Sequence, residues 1–431
     1  MIRSDHHVYC WGMNIDGRLG LGSLEVNYCS DNEGDKGECS SSPLEVIGVT
    51  DAVQVASGQS GSCAVVKSGQ VYCWGYNGGG QLGVGDTSGP RTCEGHACSP
   101  YPVRVRGLNH VTNVAVGFES VCAVVVGGHV YCWGPIAEGN LGLGRGAGHQ
   151  LCADGSACSA SPMPIVGLSD ATEVSVGDAY ACALRTGGVV SCWGANASGT
   201  LGTGETSGPD QCGVGPSVYS CALHPVTVST LSGAIAVSAG AVTACALLGS
   251  GHVRCWGGNA GGALGLGTSI GPRTCQAQGG VHFACSPAAV DVLDLDNAVA
   301  VSVGGAYACA VTVRKTVKCW GANDAGTLGI GTNSGPENCA IGTVQLACAT
   351  LPQQVPALSN VESVAAGFDH VCASRGSGEI LCWGNNSFGE LGTGTEGAAE
   401  QCHINAYSSS TDPCSTSPVK VVVYPPGGVT G

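Results

Sequence analysis

A chain of 431 residues with 72 glycines, about 17% against the roughly 7% of ordinary globular proteins, is not collagen, because no G-X-Y period runs through it. Its 31 Asp plus Glu against 16 Lys plus Arg give a net charge of -15 with no basic run, which argues against a nucleic-acid surface, and no apolar stretch reaches the ~18 residues of a membrane-spanning helix. The 27 cysteines are too many for a reducing cytosol unless they hold metal, so the expected location is extracellular, secreted or cell-surface.

The N-terminal stretch Met1 to Trp11 is polar and lacks the apolar core of a signal peptide. An export signal already removed, or a start inside a longer sequence, is therefore the expectation. Cys-Trp-Gly then recurs through the chain, at Trp11, Trp74, Trp133, Trp193, Trp256, Trp320 and Trp383, spaced 59 to 64 residues apart. Each Trp is followed six residues on by glycine (Gly17, Gly80, Gly139, Gly199, Gly262, Gly326, Gly389) and eight on by Leu-Gly, from Leu19-Gly20 to Leu391-Gly392. Chance does not keep such a register seven times, so the architecture is a repeat.

One unit reads in order from residue 51. Asp51 to Gly58 alternates apolar and small residues as strand A, and Ser62 to Val66 is strand B. After a KSGQ turn, Gln70 to Trp74 is strand C; a glycine-rich, cysteine-bearing loop leads to strand D, Pro100 to Val105, where Pro suits the start of an outer strand. Four short strands per unit predict an all-β, seven-bladed-type β-propeller with strand A innermost. Strands A and B occur only six times, so the prediction is six complete blades and a partial N-terminal blade. Residues 1–431 form a single propeller domain in this reading: 1–50 hold strands C and D of the partial blade, 51–424 six full repeats, and 425–431 a C-terminal tail.

The pattern V-x-x-V-x-x-G, C-A-V, G-x-V-Y-C-W-G-x-N-x-x-G-x-L-G-x-G, carried by Val53 to Gly85 and its copies, resembles the regulator of chromosome condensation repeat family. That resemblance covers almost the whole chain and implies a seven-bladed propeller. Members of the family have varied activities, among them nucleotide exchange on a small nuclear GTPase, plant photoreception and β-lactamase inhibition, so the resemblance carries fold better than function. The units here run about ten residues longer than the usual ~50, mostly in the cysteine-bearing loop. The unit of Trp133 also departs from the pattern, with Ala137 in place of the turn asparagine and Pro135 beside the glycine.

Six cysteine pairs are ten residues apart: Cys63 and Cys73, Cys122 and Cys132, Cys182 and Cys192, Cys245 and Cys255, Cys309 and Cys319, Cys372 and Cys382. On strands B and C of one hairpin they stand opposite each other, at the ~4.5 Å Cα separation that permits a disulfide. Seven more lie between strands C and D: Cys29 and Cys39, Cys93 and Cys98, Cys152 and Cys158, Cys212 and Cys221, Cys275 and Cys285, Cys339 and Cys348, Cys402 and Cys414. Each is expected to staple its loop. Zinc is not expected, because two cysteines make half a tetrahedral site and no histidine recurs with them. Cys10 is left unpaired; by register its partner belongs ten residues earlier, in an upstream A-B hairpin or in strands from a neighbouring chain.

Antiparallel order places the A-B turns and the cysteine loops on one face, and the short B-C and D-A turns on the other. The varied residues fall on the first face: Phe118, Glu119, Asp178, Tyr180, Tyr307, Phe368, Asp369 and His370 in the inner turns, with Tyr28, Asp31, Glu33, Asp35 and Glu38 in the first outer loop. Aromatics around a concavity can anchor a protein loop or stack on a sugar, so a protein or glycan partner is expected there. Calcium is the one cofactor with any signal, from the alternating Asp31, Glu33 and Asp35, but the glycines do not fit the EF-hand rule. With no G-x-S-x-G, H-E-x-x-H or phosphate-binding loop, a non-catalytic binding or assembly scaffold is the expectation, ahead of a secreted enzyme.

Overall fold

The computed structural model describes the chain except residues 25–26, 31–35, 137–138, 145–149, 214–217, 277–281, 342–343, 396–399, 403–410 and 423–431. The first strands are β1 (Tyr9–Met13), β2 (Asn27–Ser30) and β3 (Lys36–Glu45), joined in a three-stranded sheet of order β1-β3-β2. The next five are β4 (Ala52–Ser57), β5 (Gly61–Val66), β6 (Val71–Tyr76), β7 (Arg91–Cys93) and β8 (His96–Arg104), in the order β4-β5-β6-β8-β7. Five further sheets repeat that five-stranded order, and the six together make a six-bladed, all-β propeller.

Each blade thus has one strand more than the four read from the sequence. β4, β5, β6 and β8 take positions A to D, while β7 folds back from the cysteine loop and pairs along the outer edge of β8. Strand D correspondingly begins at His96 and not at Pro100, because its first half pairs with β7 and the end of β6.

The repeated motif is explained by contacts between consecutive units. Asn77 Oδ1 accepts from the Leu82 amide at 3.0 Å and its Nδ2 donates to Asp86 O at 3.0 Å, closing the loop after strand C. Gly80 sits in that loop at φ +82, and a Cβ there would lie 2.6 Å from Ala160 Cα of the next unit, so only glycine fits. The same loop accepts the next tryptophan: Trp133 Nε1 donates to Gln81 O at 2.8 Å, Trp193 to Asn140 O at 2.9 Å, and so on round to Trp383 and Thr327 O at 2.8 Å. Trp11 Nε1 likewise donates to Glu390 O at 2.8 Å, and Trp74 Nε1 to Arg18 O at 2.8 Å, so the three-stranded sheet lies between the last blade and the first. Six of the tryptophans, Trp74 to Trp383, are buried, whereas Trp11 is half-buried. The core lies between neighbouring sheets: Tyr180, Leu184, Val190 and Val228 of one blade pack with Val237 and Trp256 of the next. Ala137 of the variant motif lies outside the described residues.

Twelve disulfides form. Those on strands B and C join directly opposed residues at Cα separations of 4.0 to 4.1 Å. The outer ones share a different, diagonal register: Cys212 faces Tyr219 across its ladder yet bonds to Cys221, two residues on, with Cα atoms 5.9 Å apart. Cys152 and Cys158 correct the expectation, since they remain thiols. Their hairpin ladder is only Gln150 and Leu151 against Ala157 and Cys158, so Cys152 falls in the turn beyond it. Burial and the neighbouring Cys152 thiol push Cys158 up to about 12. Cys10 is also a free thiol.

Candidate functional face

Strand direction brings the A-B turns and the outer cystine hairpins to one end of the propeller and the short B-C turns to the other. Around the axis, the innermost strands would each leave an edge of backbone groups unpaired. Side chains from the preceding blade fill that need. Gln54 clasps both Val114 groups, accepting from N at 2.9 Å and donating to O at 3.1 Å; Asn113 Oδ1 accepts from Val174 N at 2.8 Å; and Ser175, Ser238 and Ser302 hydroxyls accept from Ala239, Val303 and Ala366 amides at 2.9 to 3.0 Å. Glu173 accepts from Val237 N in the same way, and burial raises its carboxyl to about 7. These cross-links hold the inner turns in fixed relation, which a loop-built binding surface requires.

On that support, the predicted residues divide. Phe118 and Phe368 are exposed, at 38% and 69%, and Glu119 is exposed beside Phe118. Asp178 is half-buried, and burial raises its carboxyl. Tyr180 and Tyr307 are corrections: they are buried, at 1% and 2%, because each points sideways into the next blade. Tyr180 Oη donates to Thr243 O at 2.8 Å, and Tyr307 Oη donates to His370 O at 2.7 Å. They wedge blades together and present nothing to a partner.

Asp369 and His370 stand side by side on this rim. Asn385 Nδ2 donates to Asp369 Oδ2 at 2.8 Å, and Asp369 Oδ1 stands 3.6 Å from His370 Nδ1. Burial pulls the imidazole down, but the Asp369 carboxylate and then Glu390 outweigh it and hold His370 above its ordinary value. Glu390 in turn is raised to about 7 by burial and by Asp369.

The two ends differ in charge. Lys67, Arg106, Arg185, Arg254, Lys315 and Lys420 stand at the short-turn end. Several are matched by acids of that same end: Arg185 with Asp170 at 2.8 Å, Arg254 with Asp291 at 2.7 Å and Lys420 with Glu379 at 3.1 Å. At the cystine-loop end stand Glu94, Glu119, Asp154, Asp178, Glu337 and Asp369, making it the acidic face. Sequence reading missed this polarity, although it follows from assigning each charged residue to its turn.

Among the described residues, one group of side chains lies close enough to share a metal ion: Glu337, Cys339 and Cys348. The two sulfurs there are bonded to each other and Glu337 accepts from the Thr350 hydroxyl at 2.7 Å, so the donor set does not suit a cation. Asp31, Glu33 and Asp35, on which calcium was expected, lie outside the described residues, as does the side chain of Tyr28. Glu38 is buried. No helix among the described residues is long and apolar enough to cross a membrane.

Comparison with known proteins agrees with the repeat. Models of the Regulator of chromosome condensation (RCC1) repeat match residues 5–65, 68–124 and 317–374, and residues 52–81 and 361–390. The human E3 ubiquitin-protein ligase HERC2 is 28% identical over 412 residues, covering 93% of this chain but 7% of that protein. Ultraviolet-B receptor UVR8 of Arabidopsis thaliana is 29% identical over 333 residues, 76% of this chain and 64% of the receptor. The chain therefore spans less than two thirds of either relative. Yeast RCC1 (Prp20), solved bound to Kap60, has the same fold, with a TM-score of 0.70 at 19% identity over 96% of this chain and 83% of that one.

Proposed function

Because the chain is an RCC1-like repeat propeller, we propose that it is a non-catalytic protein-binding scaffold that works in an oxidising, extracellular setting and engages its partner through the acidic cystine-loop face. The observation that carries this reading is the coincidence, at one end of a cross-linked ring, of exposed Phe118 and Phe368 with Glu119, Asp178 and Asp369. Aromatic anchors within an acidic rim fit a protein surface that offers an apolar pocket ringed by Lys and Arg. Twelve disulfides support the oxidising setting. The relatives cover the repeats and say nothing of which partner this chain takes. In this proposal residues 1–431 are one propeller and the three-stranded sheet is the outer part of a seventh blade.

The test uses protein partners retained from extracellular fluid on the immobilised chain and then purified. Rebinding should be lost when Glu119, Asp178 and Asp369 are changed together to Lys, and kept when Lys67, Arg254 and Lys315 are changed together to Glu. Equal rebinding by both variants would refute the assignment of the face.

A further inference from the structure

The loop after β1 carries a carboxylate that its own surroundings leave unsatisfied. Gly17 seats this loop on the next sheet, since a Cβ there would collide with Pro100 of β8. Beside it the Asp16 side chain is only 6% exposed, and its Oδ1 has no hydrogen-bond partner. Arg18 Nη2 stands 3.7 Å from Oδ2 and His96 Nδ1 stands 3.6 Å from Oδ1, both beyond hydrogen-bond reach. A carboxylate so buried and so loosely paired is costly to the fold. Its backbone adds strain: Asp16 holds φ +58, in the left-handed region, where the same step in the unit of Trp256 has glycine, Gly261 at φ +60.

The side that Oδ1 faces is aromatic and acidic. The His96 ring, on a side chain 61% exposed, meets the half-buried Tyr76 ring edge-on, with centroids 5.9 Å apart at 88°. Two further carboxylates come to this place from the following blade. Ala153 N donates to Gly78 O at 2.9 Å, which brings the turn of Asp154 against the loop that follows Tyr76. Pro135 closes on Gly79 of the same loop, and Gly134 before it abuts the carbonyl of Glu119. The Tyr76 phenol registers the convergence: burial first, and then Asp16, Asp154, Glu119 and Cys152, raise it above its ordinary value.

We infer that Asp16, Tyr76 and His96 form a subsite for the guanidinium of an arginine on the partner protein. The planar cation stacks on the Tyr76 ring and donates to Asp16 Oδ1 once the exposed His96 ring turns aside, while Glu119 and Asp154 add negative potential at the entrance. Arginine suits the place better than lysine, because a guanidinium is more weakly hydrated and keeps its donors in the plane that it lays on an aromatic ring. An aspartate held where glycine folds more easily agrees with a role beyond the fold. The inference rests on the acidic face being the one that meets the partner, and it gives that face one defined contact.

The experiment titrates the full chain, isotope-labelled at histidine, with N-acetyl-arginine amide and follows the His96 ring by NMR, its signal identified by its loss in His96→Gln. The signal should move to saturation with the arginine derivative and stay in place with N-acetyl-citrulline amide, which has the same shape without the charge. Asp16→Gly removes the carboxylate and installs the residue that Gly261 has at this step, so the variant should keep its Tm yet bind the arginine derivative about tenfold or more weakly. Asp16→Asn, which keeps the side chain's shape, should bind as weakly. Equal responses to the two derivatives, or equal affinities of these variants and the unaltered chain, overturn the subsite; tighter binding of N-acetyl-lysine amide overturns the choice of guanidinium. The purified partner separates this inference from the reading beneath it, and its affinity for Asp16→Gly should fall about tenfold as well. Rebinding lost when Glu119, Asp178 and Asp369 are changed to Lys but unchanged in Asp16→Gly refutes the subsite alone, and rebinding kept by both refutes the acidic face with it.

Discussion

Tyr180 and Tyr307 look from sequence like rim aromatics because they follow Gly-Asp-Ala and Gly-Gly-Ala turns, and turn residues are usually exposed. Their burial depends on a neighbouring blade that no local pattern reveals. Phe118 and Phe368 come two residues earlier in the corresponding turns of other blades and stay outside. The tryptophans were easier to read, since a side chain repeated in one register seven times belongs to the packing between units. Trp193→Ala should therefore cost about 3 to 5 kcal/mol in a denaturant titration, and Trp193→Phe less, since it keeps a ring while losing the bond to Asn140 O. Glu173 gives a pH signature. Its folded carboxyl titrates at about 7 against an ordinary 4.5, with burial the leading cause. Between those values the folded chain holds a proton that the unfolded chain releases, so this group's contribution is full below pH 4.5 and falls as pH rises through 7. Glu173→Gln, which installs the amide that Gln54 uses, should leave Tm nearly unchanged at pH 4.5 and raise it at pH 8. A Tm gain at pH 4.5 as large as that at pH 8 would contradict the assignment.

Among the elements, the B-C hairpins were legible because two cysteines ten residues apart fix the turn and the register together. The fifth strand was not. β7 is three residues long, and the loop containing it is rich in glycine and polar residues, so no alternation shows; its strand character comes from pairing with β8. The diagonal register of the outer cystines was hidden for the same reason. Labelling denatured but unreduced protein with a thiol reagent should tag Cys10, Cys152 and Cys158 and leave the other cysteines untouched. Tags on strand-B or strand-C cysteines would contradict the hairpin pairing. Serine in place of Cys212 and Cys221 should open protease sites in that outer hairpin with little change in Tm, because the hairpin extends beyond the end of its neighbouring strand C. Serine in place of Cys182 and Cys192, within the blade, should lower global stability by about 2 to 3 kcal/mol.

For the whole molecule, repetition made the propeller readable, because one register of Trp, Gly and Leu returns in every unit. The division of charge between the two ends is also a property of the assembled ring, since acidic and basic residues alternate freely along the chain. It gives the binding face a salt signature: partner affinity should fall as ionic strength rises, through loss of the attraction between an acidic rim and a basic surface. The account's central claim, that the cystine-loop face meets the partner, is tested most directly by site-specific photo-crosslinking in the native extracellular fluid. A crosslinking side chain is placed in turn at Phe118 and Phe368 on that face and at Val126 and Val313, which are 68% and 62% exposed at the opposite end. The account predicts one and the same protein adduct from Phe118 and Phe368 and none from Val126 or Val313; an adduct confined to Val126 and Val313 would contradict it.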